Sequence, residues 1–368
     1  MNYYEDLKYH FHPKKGWIND PNGLVYFNGY YHVFYQHAPN FEVPWQEPMH
    51  WGHARTKDFI RWEELPIALF PDMPYDRDGC WSGTAIVKDD VLYLVYTGRV
   101  KPDPNIPSIQ RPCIAYSYDG VSFHKYENNP VIRDCPEDID KNNFRDPSIA
   151  LIDGKYYLAV ATGNRERDTG DIALFESADL FDYKYLGVMK SWSDAKYAEC
   201  PSLIGTDDSV WLAASVCRHK DHFFSVMQGE FKDGKYTERL ASCVDMGPDQ
   251  YAGQMFKDHL GRIILITWVS GWNYNGFVKG HDVGCMSCPR EFFVKDGKIC
   301  AYPVKEVRHL LTDSDPAVKI TDDGFVIERQ GRESVVYKGE IRDLKILRDN
   351  YVVEVFVNGG EEIYTAVL

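Results

Sequence analysis

A recurring pair of β-rich runs constrains this chain more than any other feature. The stretches GLVYFNGYYHVFYQ, TAIVKDDVLYLVYTG, SIALIDGKYYLAVATG, SLIGTDDSVWLAASV and QMFKDHLGRIILITWVSGW each place a turn between two apolar runs. Asn28-Gly29 and Asp153-Gly154 signal hairpins, because these residue types tolerate positive φ. Further strands follow, as in CIAYSYDGVSFHKY, DIALFESADLFDYKYL and FFSVMQGEFKDGKYTE. No long stretch keeps a 3.6-residue apolar period, so little helix is expected. The positions just before each inner strand are Asp20, Ser82, Asp146, Glu199 and Tyr251. They recur at intervals of roughly 50–65 residues, room for four strands. The expectation is all-β: a five-bladed β-propeller over residues 1–305, whose first strands line a channel and bring those positions to one axis. Residues 306–368 read as six short strands, a truncated β-sandwich-like domain of about one sheet. So small a core is marginal alone and is expected to pack against the propeller.

Composition removes several function classes. Lys plus Arg number 41 against 55 Asp plus Glu, a formal charge of −14. That balance argues against nucleic acid or an anionic membrane as the main partner. No run of about 18 apolar residues is present, so no membrane span is expected. The nine cysteines form no disulfide framework, and Cys285-x-x-Cys288 has no matching second pair, so neither structural zinc nor another metal is expected. Free thiols and an N-terminus without an apolar signal segment point to a cytoplasmic protein. The 25 Tyr and 9 Trp suit sugar faces, and equally an ordinary β-rich core.

The chemistry lies in three acidic positions. Asp20 occurs in WINDPNG, Asp146 in FRDPSI and Glu199 in AECPSL, each with Pro one or two places later and then a strand. Locally, GWINDPNG reads as a tight turn ahead of the strand LVYF. Repetition explains the shared style but not acidity three times over, since gathered carboxylates repel and are costly to bury. Two carboxylates flanking a scissile bond are what glycoside hydrolysis requires, one ionised and one protonated, and clustering raises the pKa of one member. A metal site is the rival use of three carboxylates, and Arg145 beside them disfavours a cation.

These stretches, with FYQHAP, HWGHARTKDFIRWEELPIAL, DGCWSGTAIV and CMSCPRE in the same order, resemble glycoside hydrolase family 32, the invertase, sucrose-6-phosphate hydrolase and levanase/inulinase family. The resemblance runs from residue 10 to about 305, and LKILRDNYVVEVFVNGGEEIYT is similar to the closing strands of the family's C-terminal sandwich. It implies a five-bladed propeller followed by a sandwich, and a retaining mechanism without a cofactor. It implies Asp20 as nucleophile, Glu199 as acid/base with a raised pKa, and Asp146 as transition-state stabiliser. Arg145 would orient the carboxylates and hold sugar, Gln36, Trp51, Trp81 and Ser82 match sugar-binding positions, and Asn19 fits beside the nucleophile. Tyr251 and Trp272 fall on the rim of the last blade.

Two departures stand out. The sandwich is much shorter than is usual in the family, and Gln250 replaces the aromatic residue that often precedes Tyr251. His10, His12, His32, His37, His50 and His53 read mainly as strand and rim residues. The expected activity is a β-fructofuranosidase on sucrose or short fructo-oligosaccharides. Sucrose 6-phosphate hydrolysis, fructan exo-hydrolysis, fructosyl transfer and a silent sugar-binding propeller are the alternatives. An arabinan-type hydrolase is disfavoured by the long motifs. A phosphorylated substrate would call for a basic rim, with Arg55, Arg99, Lys101 and Arg111 as candidates, but surface Lys and Arg are ordinarily just solvated. The expected partner is a small sugar, with a homo-oligomer as a possibility.

Overall fold

The computed structural model describes residues 7–41, 46–103, 105–269, 284–329 and 331–368. The strand pairs fold into five antiparallel sheets in chain order. Blade I holds β1 (Trp17–Phe27), β2 (Tyr30–Ala38), β3 (His50–Thr56) and β4 (Trp62–Leu69). Blade II holds β5 (Cys80–Lys88), β6 (Val91–Val100), β7 (Ile109–Ser117) and β8 (His124–Lys125). Blade III holds β9 (Arg145–Ile152), β10 (Lys155–Asn164), β11 (Thr169–Ser177) and β12 (Lys184–Ser193). Blade IV holds β13 (Ala195–Gly205), β14 (Val210–Arg218), β15 (His222–Lys232) and β16 (Lys235–Ser242). Blade V holds β17 (Gln250–Lys257), β18 (Ile263–Val269), β19 (Cys285–Met286), β20 (Arg290–Lys295) and β21 (Lys298–Pro303). Strand β1 packs on β5, β5 on β9, β9 on β13, β13 on β17, and β17 back on β1. That closed ring of first strands makes the five sheets a propeller.

The hairpin signals were chemical ones. At Asn28-Gly29, Asp89-Asp90, Asp153-Gly154, Asp233-Gly234 and Asp296-Gly297 both turn residues have positive φ, as a twisted two-residue hairpin demands.

GWINDPNG is not a turn ahead of a strand. From Trp17 onward it lies inside β1, which carries one β-bulge between Ile18 and Pro21 and another between Asn22 and Val25. Of the other first strands, β5 bulges between Trp81 and Gly83, β9 opposite Ala159/Ala161, β17 between Tyr251 and Gln254, and β13 twice, between Ala195 and Tyr197 and between Glu199 and Ser202. Gly23, Asp146, Cys200 and Ala252 occupy matching places in four of these bulges, with φ of 54°, 56°, 47° and 51°. The even spacing expected of the acidic positions is corrected by this register. Glu199 matches Arg145 and Tyr251, one step ahead of Asp146. Asp20 comes from the first bulge of β1, three residues ahead of Gly23, and so does not stand at the place that Asp146 occupies. A bulge sets two residues against one and re-aims a side chain, so three carboxylates from non-equivalent steps reach one place.

Side chains lock neighbouring blades together. The backbone N–H of Ile149 donates to Thr84 Oγ1 (3.0 Å), that of Leu203 to Ser148 Oγ (2.9 Å) and that of Met255 to Ser202 Oγ (2.9 Å). Leu24 N–H donates to Gln254 Oε1 (3.2 Å), and Gln254 Nε2 reaches Gly83 O (2.9 Å).

The C-terminal strands split three and three. Strands β22 (Val318–Thr321), β23 (Gly324–Ile327) and β24 (Val335–Lys338) form one sheet; β25 (Leu344–Asp349), β26 (Val352–Val357) and β27 (Glu362–Val367) form another. Phe325, Ile327 and Tyr337 of the first share a core with Val353, Val355 and Tyr364 of the second. Where the sequence suggests about one sheet, the segment is a complete sandwich in miniature. Its second sheet turns its other face to the propeller, so Leu347, Phe356 and Ile363 sit in one core with Phe292 and Ala301.

Buried charge crosses this contact. Arg290, fully buried, donates to Asp245 Oδ2 (2.6 Å), Glu354 Oε2 (2.8 Å) and Thr365 Oγ1 (2.6 Å). His10 is bridged by Asp349 Oδ2 (2.9 Å) and Glu354 Oε1 (2.8 Å), so it is a buried ion rather than a rim residue. Burial pulls its pKa down, but the two carboxylates outweigh burial and raise it to about 9.

Candidate active site

Asn19, Asp20, Gln36, Trp81, Ser82, Arg145, Asp146, Glu199 and Tyr251 line one cavity of about 450 Å³. They come from blades I to V, and the bulges explain why residues of buried strands present polar groups there. Asp20 accepts hydrogen bonds from Ser82 Oγ at 2.6 Å and Asn19 Nδ2 at 3.0 Å, and Cys200 Sγ stands 3.4 Å from its Oδ2. The Ser82 bond also ties blade I to blade II. Asp146 accepts the Cys200 backbone N–H at 3.0 Å, while its own N–H donates to Thr97 Oγ1 at 2.9 Å. Glu199 Oε1 accepts from Arg145 Nη2 at 2.8 Å, and its Oε2 accepts from the Tyr251 hydroxyl and, at 3.4 Å, the Cys217 thiol. Arg145 is steadied by Asn143 Oδ1 at 2.8 Å and lies over the Tyr197 ring, 5.1 Å from its centre.

The charges sort themselves differently from the sequence expectation. Burial pushes Asp20 up, and the negative charge of Glu199 adds to the rise against the bonds from Ser82 and Asn19. Burial lifts Asp146 to about 7, with Arg145 opposing and Glu199 and Asp20 adding. Glu199 was expected to be raised. Burial does raise it, but Arg145, Tyr251 and Cys217 together prevail and hold it below the ordinary glutamate value. The surroundings thus favour the charged form of Glu199 and the neutral forms of the two aspartates.

Trp51 is a correction. Its side chain is fully buried in the core between blades I and II, and its Nε1 donates to Trp81 O at 3.0 Å, so it carries the cavity wall rather than forming it. Trp272 lies outside the described residues. Gln250 lines a separate pocket with Arg218 and Met246 and is not among the residues lining the cavity. Gln110, Asn142, Asn143, Tyr197, Cys217 and His222 also line the cavity, and sequence reasoning missed them. Tyr197 precedes Glu199 by two on β13, the same-face spacing of a strand, and was findable on that ground, whereas Asn143 lies in the bend ahead of β9. Cys217 and His222 come from the second and third strands of blade IV, where nothing local marks them.

Two side pockets adjoin the cavity. One of about 590 Å³ shares Trp81 and is lined by Arg99 and Lys101. Another of about 350 Å³ shares Gln110 and Asn142 and is lined by Arg111, Arg133 and Lys141. Arg55 pairs with Glu63 at 2.7 Å and lines neither.

Comparison with known proteins bears on what such a site belongs to. The model for the glycosyl hydrolases family 32 N-terminal domain matches residues 10–303. The chain is 35% identical to a raffinose invertase of Escherichia coli over 84% of its own length, and 35% identical to a sucrose-6-phosphate hydrolase of Zymomonas mobilis over 82%. It spans 66% and 62% of those two proteins, just under two thirds. It is 30% identical to a sucrose-6-phosphate hydrolase of Bacillus subtilis (strain 168), covering 97% of this chain and 88% of that one. Its fold matches a Bombyx mori GH32 beta-fructofuranosidase with a TM-score of 0.84 at 27% identity, covering 98% of this chain and 88% of that structure. The propeller, the cavity at its axis and a family match spanning residues 10–303 agree: the chain belongs to glycoside hydrolase family 32.

Proposed function

We propose that this protein is a retaining β-fructofuranosidase that cleaves a terminal β-D-fructofuranosyl unit from sucrose or a short fructo-oligosaccharide. The observation that carries the reading is the meeting of Asp20, Asp146 and Glu199 in one sugar-sized cavity with Arg145 among them. Asp20 attacks C2 of the fructosyl unit as the bond from C2 to the leaving oxygen breaks, and Glu199 gives that oxygen its proton. The product of this half-reaction is a fructosyl ester on Asp20. Water then attacks C2, Glu199 takes the water proton, and the Asp20 carboxylate leaves, so configuration is retained. Asp146 and Arg145 hold fructose hydroxyls. The reactive form carries the proton on Glu199 and the charge on Asp20, against the direction in which their surroundings shift the two groups. Ser82 and Asn19 stabilise the charged Asp20, and sugar hydroxyls that draw Arg145 and Tyr251 away from Glu199 free it to bind a proton.

Release of fructose from sucrose, kestose, inulin and levan tests this, with the first-formed anomer read by NMR. Asp20→Asn and Glu199→Gln are each expected to lower kcat by about 10³-fold or more. Near-normal turnover in either variant removes that residue from its role, and an inverted first product removes the ester. Transfer in place of hydrolysis would appear as longer oligosaccharides at high sucrose.

The Arg99 and Lys101 pocket beside Trp81 favours one second reading, a sucrose carrying a 6-phosphate. The sucrose-6-phosphate hydrolases to which the chain is similar point the same way. Under this reading kcat/KM is higher for sucrose 6-phosphate than for sucrose, and Lys101→Ala narrows the difference. Equal values set the reading aside.

A further inference from the structure

The geometry points to Cys217 as a positioning residue for Glu199: its thiol and the Tyr251 hydroxyl form a two-donor clamp on Glu199 Oε2. The inference rests on the role of Glu199 in the fructosidase reading and adds a residue that neither the motifs nor the acidic positions indicate. Cys217 sits on β14, paired across the sheet with Tyr197 on one side and His222 on the other, and its side chain lines the cavity. Its Sγ stands 3.4 Å from Glu199 Oε2 and 2.8 Å from Tyr251 Oη. The Tyr251 hydroxyl donates to the same Oε2. Arg145 occupies Oε1. The groups facing Glu199 are therefore Arg145, Asp146, Asp20, Tyr197, Cys217, His222 and Tyr251, and of these Cys217 and Tyr251 share its second oxygen.

Burial pushes the Cys217 thiol far above its ordinary range, and the charge of Glu199 pushes it further. The thiol is thus protonated at any pH at which the enzyme works, a donor and not a nucleophile. Donation to a carboxylate favours its charged form. Loss of the thiol then makes Glu199 easier to protonate. A general acid acts only while protonated, so kcat/KM falls as pH rises through its pKa. Cys217→Ala is expected to move that falling limb upward by about 0.5–1 pH unit, the effect of one hydrogen bond of ordinary strength. Cys217→Ser restores a hydroxyl donor and is expected to return most of the shift.

The decisive measurement does not depend on turnover. The side-chain carboxyl of Glu199 is titrated by 13C NMR in protein labelled at glutamate Cδ, its resonance assigned by its absence in Glu199→Gln. Cys217→Ala should raise the titration midpoint, and Cys217→Ser should hold it near that of the wild type. An unmoved midpoint in Cys217→Ala, or equal shifts in the Ala and Ser variants, overturns the clamp. The pH profile of kcat/KM on sucrose is the companion measurement. A wild-type protein without fructosidase activity defeats the functional reading and leaves the NMR titration to decide the clamp. An active wild type whose limb stays in place in Cys217→Ala defeats the clamp alone.

Discussion

Asp146 shows what the site costs the fold. Its carboxyl is raised from 3.8 to about 7 by burial and by its acidic neighbours. The folded state therefore holds a proton that the unfolded chain has already released, and stability falls as pH rises from about 4 through 7. Asp146→Asn removes that penalty. The variant should lose activity yet be more stable than the wild type at pH 8, by up to about 4 kcal/mol, with the difference vanishing below pH 4. Urea unfolding at both pH values measures this, and equal stability at pH 8 would show that Arg145 neutralises the cost. The same residues show how far sequence reaches. Asp20, Asp146, Glu199 and Arg145 were legible because each lies on a first strand in a motif with Pro close behind. The direction of the Glu199 shift was not legible, because Arg145 outweighs burial only together with Tyr251 and Cys217, which come from other strands. Trp51 was misplaced because a tryptophan beside a cavity and one beneath it look alike in a strand pattern.

At the level of strands, the bulges and the cross-blade bonds are one device. In β5, β9, β13 and β17 a bulge interrupts the strand's own ladder beside a residue that lines the cavity, and Thr84, Ser148, Ser202 or Gln254 just beyond it serves the next blade. Ser148→Ala would leave the Leu203 N–H buried with no partner, and Ser202→Ala would do the same to Met255. Each substitution is expected to cost about 1–3 kcal/mol, read by thermal or urea unfolding, while the carboxylates keep their bonds. Costs below 0.5 kcal/mol in both would mean that the blades need no such ties. Hairpins were read correctly from Asn-Gly, Asp-Asp and Asp-Gly because positive φ is a local demand. The bulges were not, because a strand that sets two residues against one differs from a regular strand only in its partner's register. Asp20 was taken as the counterpart of Asp146 for that reason.

Across the whole molecule the small sandwich acts as a clasp. Asp349 accepts the N–H groups of Lys8, Tyr9 and His10 (each 2.9 Å), which lead into blade I. Glu354 accepts Cys288 N–H and pairs with Arg290, both of blade V and its approach. Among the described residues no strand is shared between blades I and V, and this polar joint lies across the seam where the ring closes. His10, raised from 6.5 to about 9, contributes stability that is complete below pH 6.5 and is lost as pH rises through 9. His10→Gln should flatten that decline, at a cost of up to about 3 kcal/mol at pH 6. Unfolding at pH 6 and pH 10 tests it, and a slope that survives the substitution assigns the decline elsewhere. Arg290→Met leaves Glu354 with His10 as its remaining cation and Asp245 with no ion pair, and is expected to cost about 3–5 kcal/mol in urea unfolding. CMSCPRE was noticed as a motif, but its arginine proved to be structural. The six C-terminal strands were visible, and their division into two sheets was not, because facing pairs such as Phe325 and Tyr364 are set only in three dimensions. The clasp also imposes an order in time. During synthesis Asp349 and Glu354 emerge only after all five blades, so this joint between the approach to blade I and blade V is made after the strands it joins.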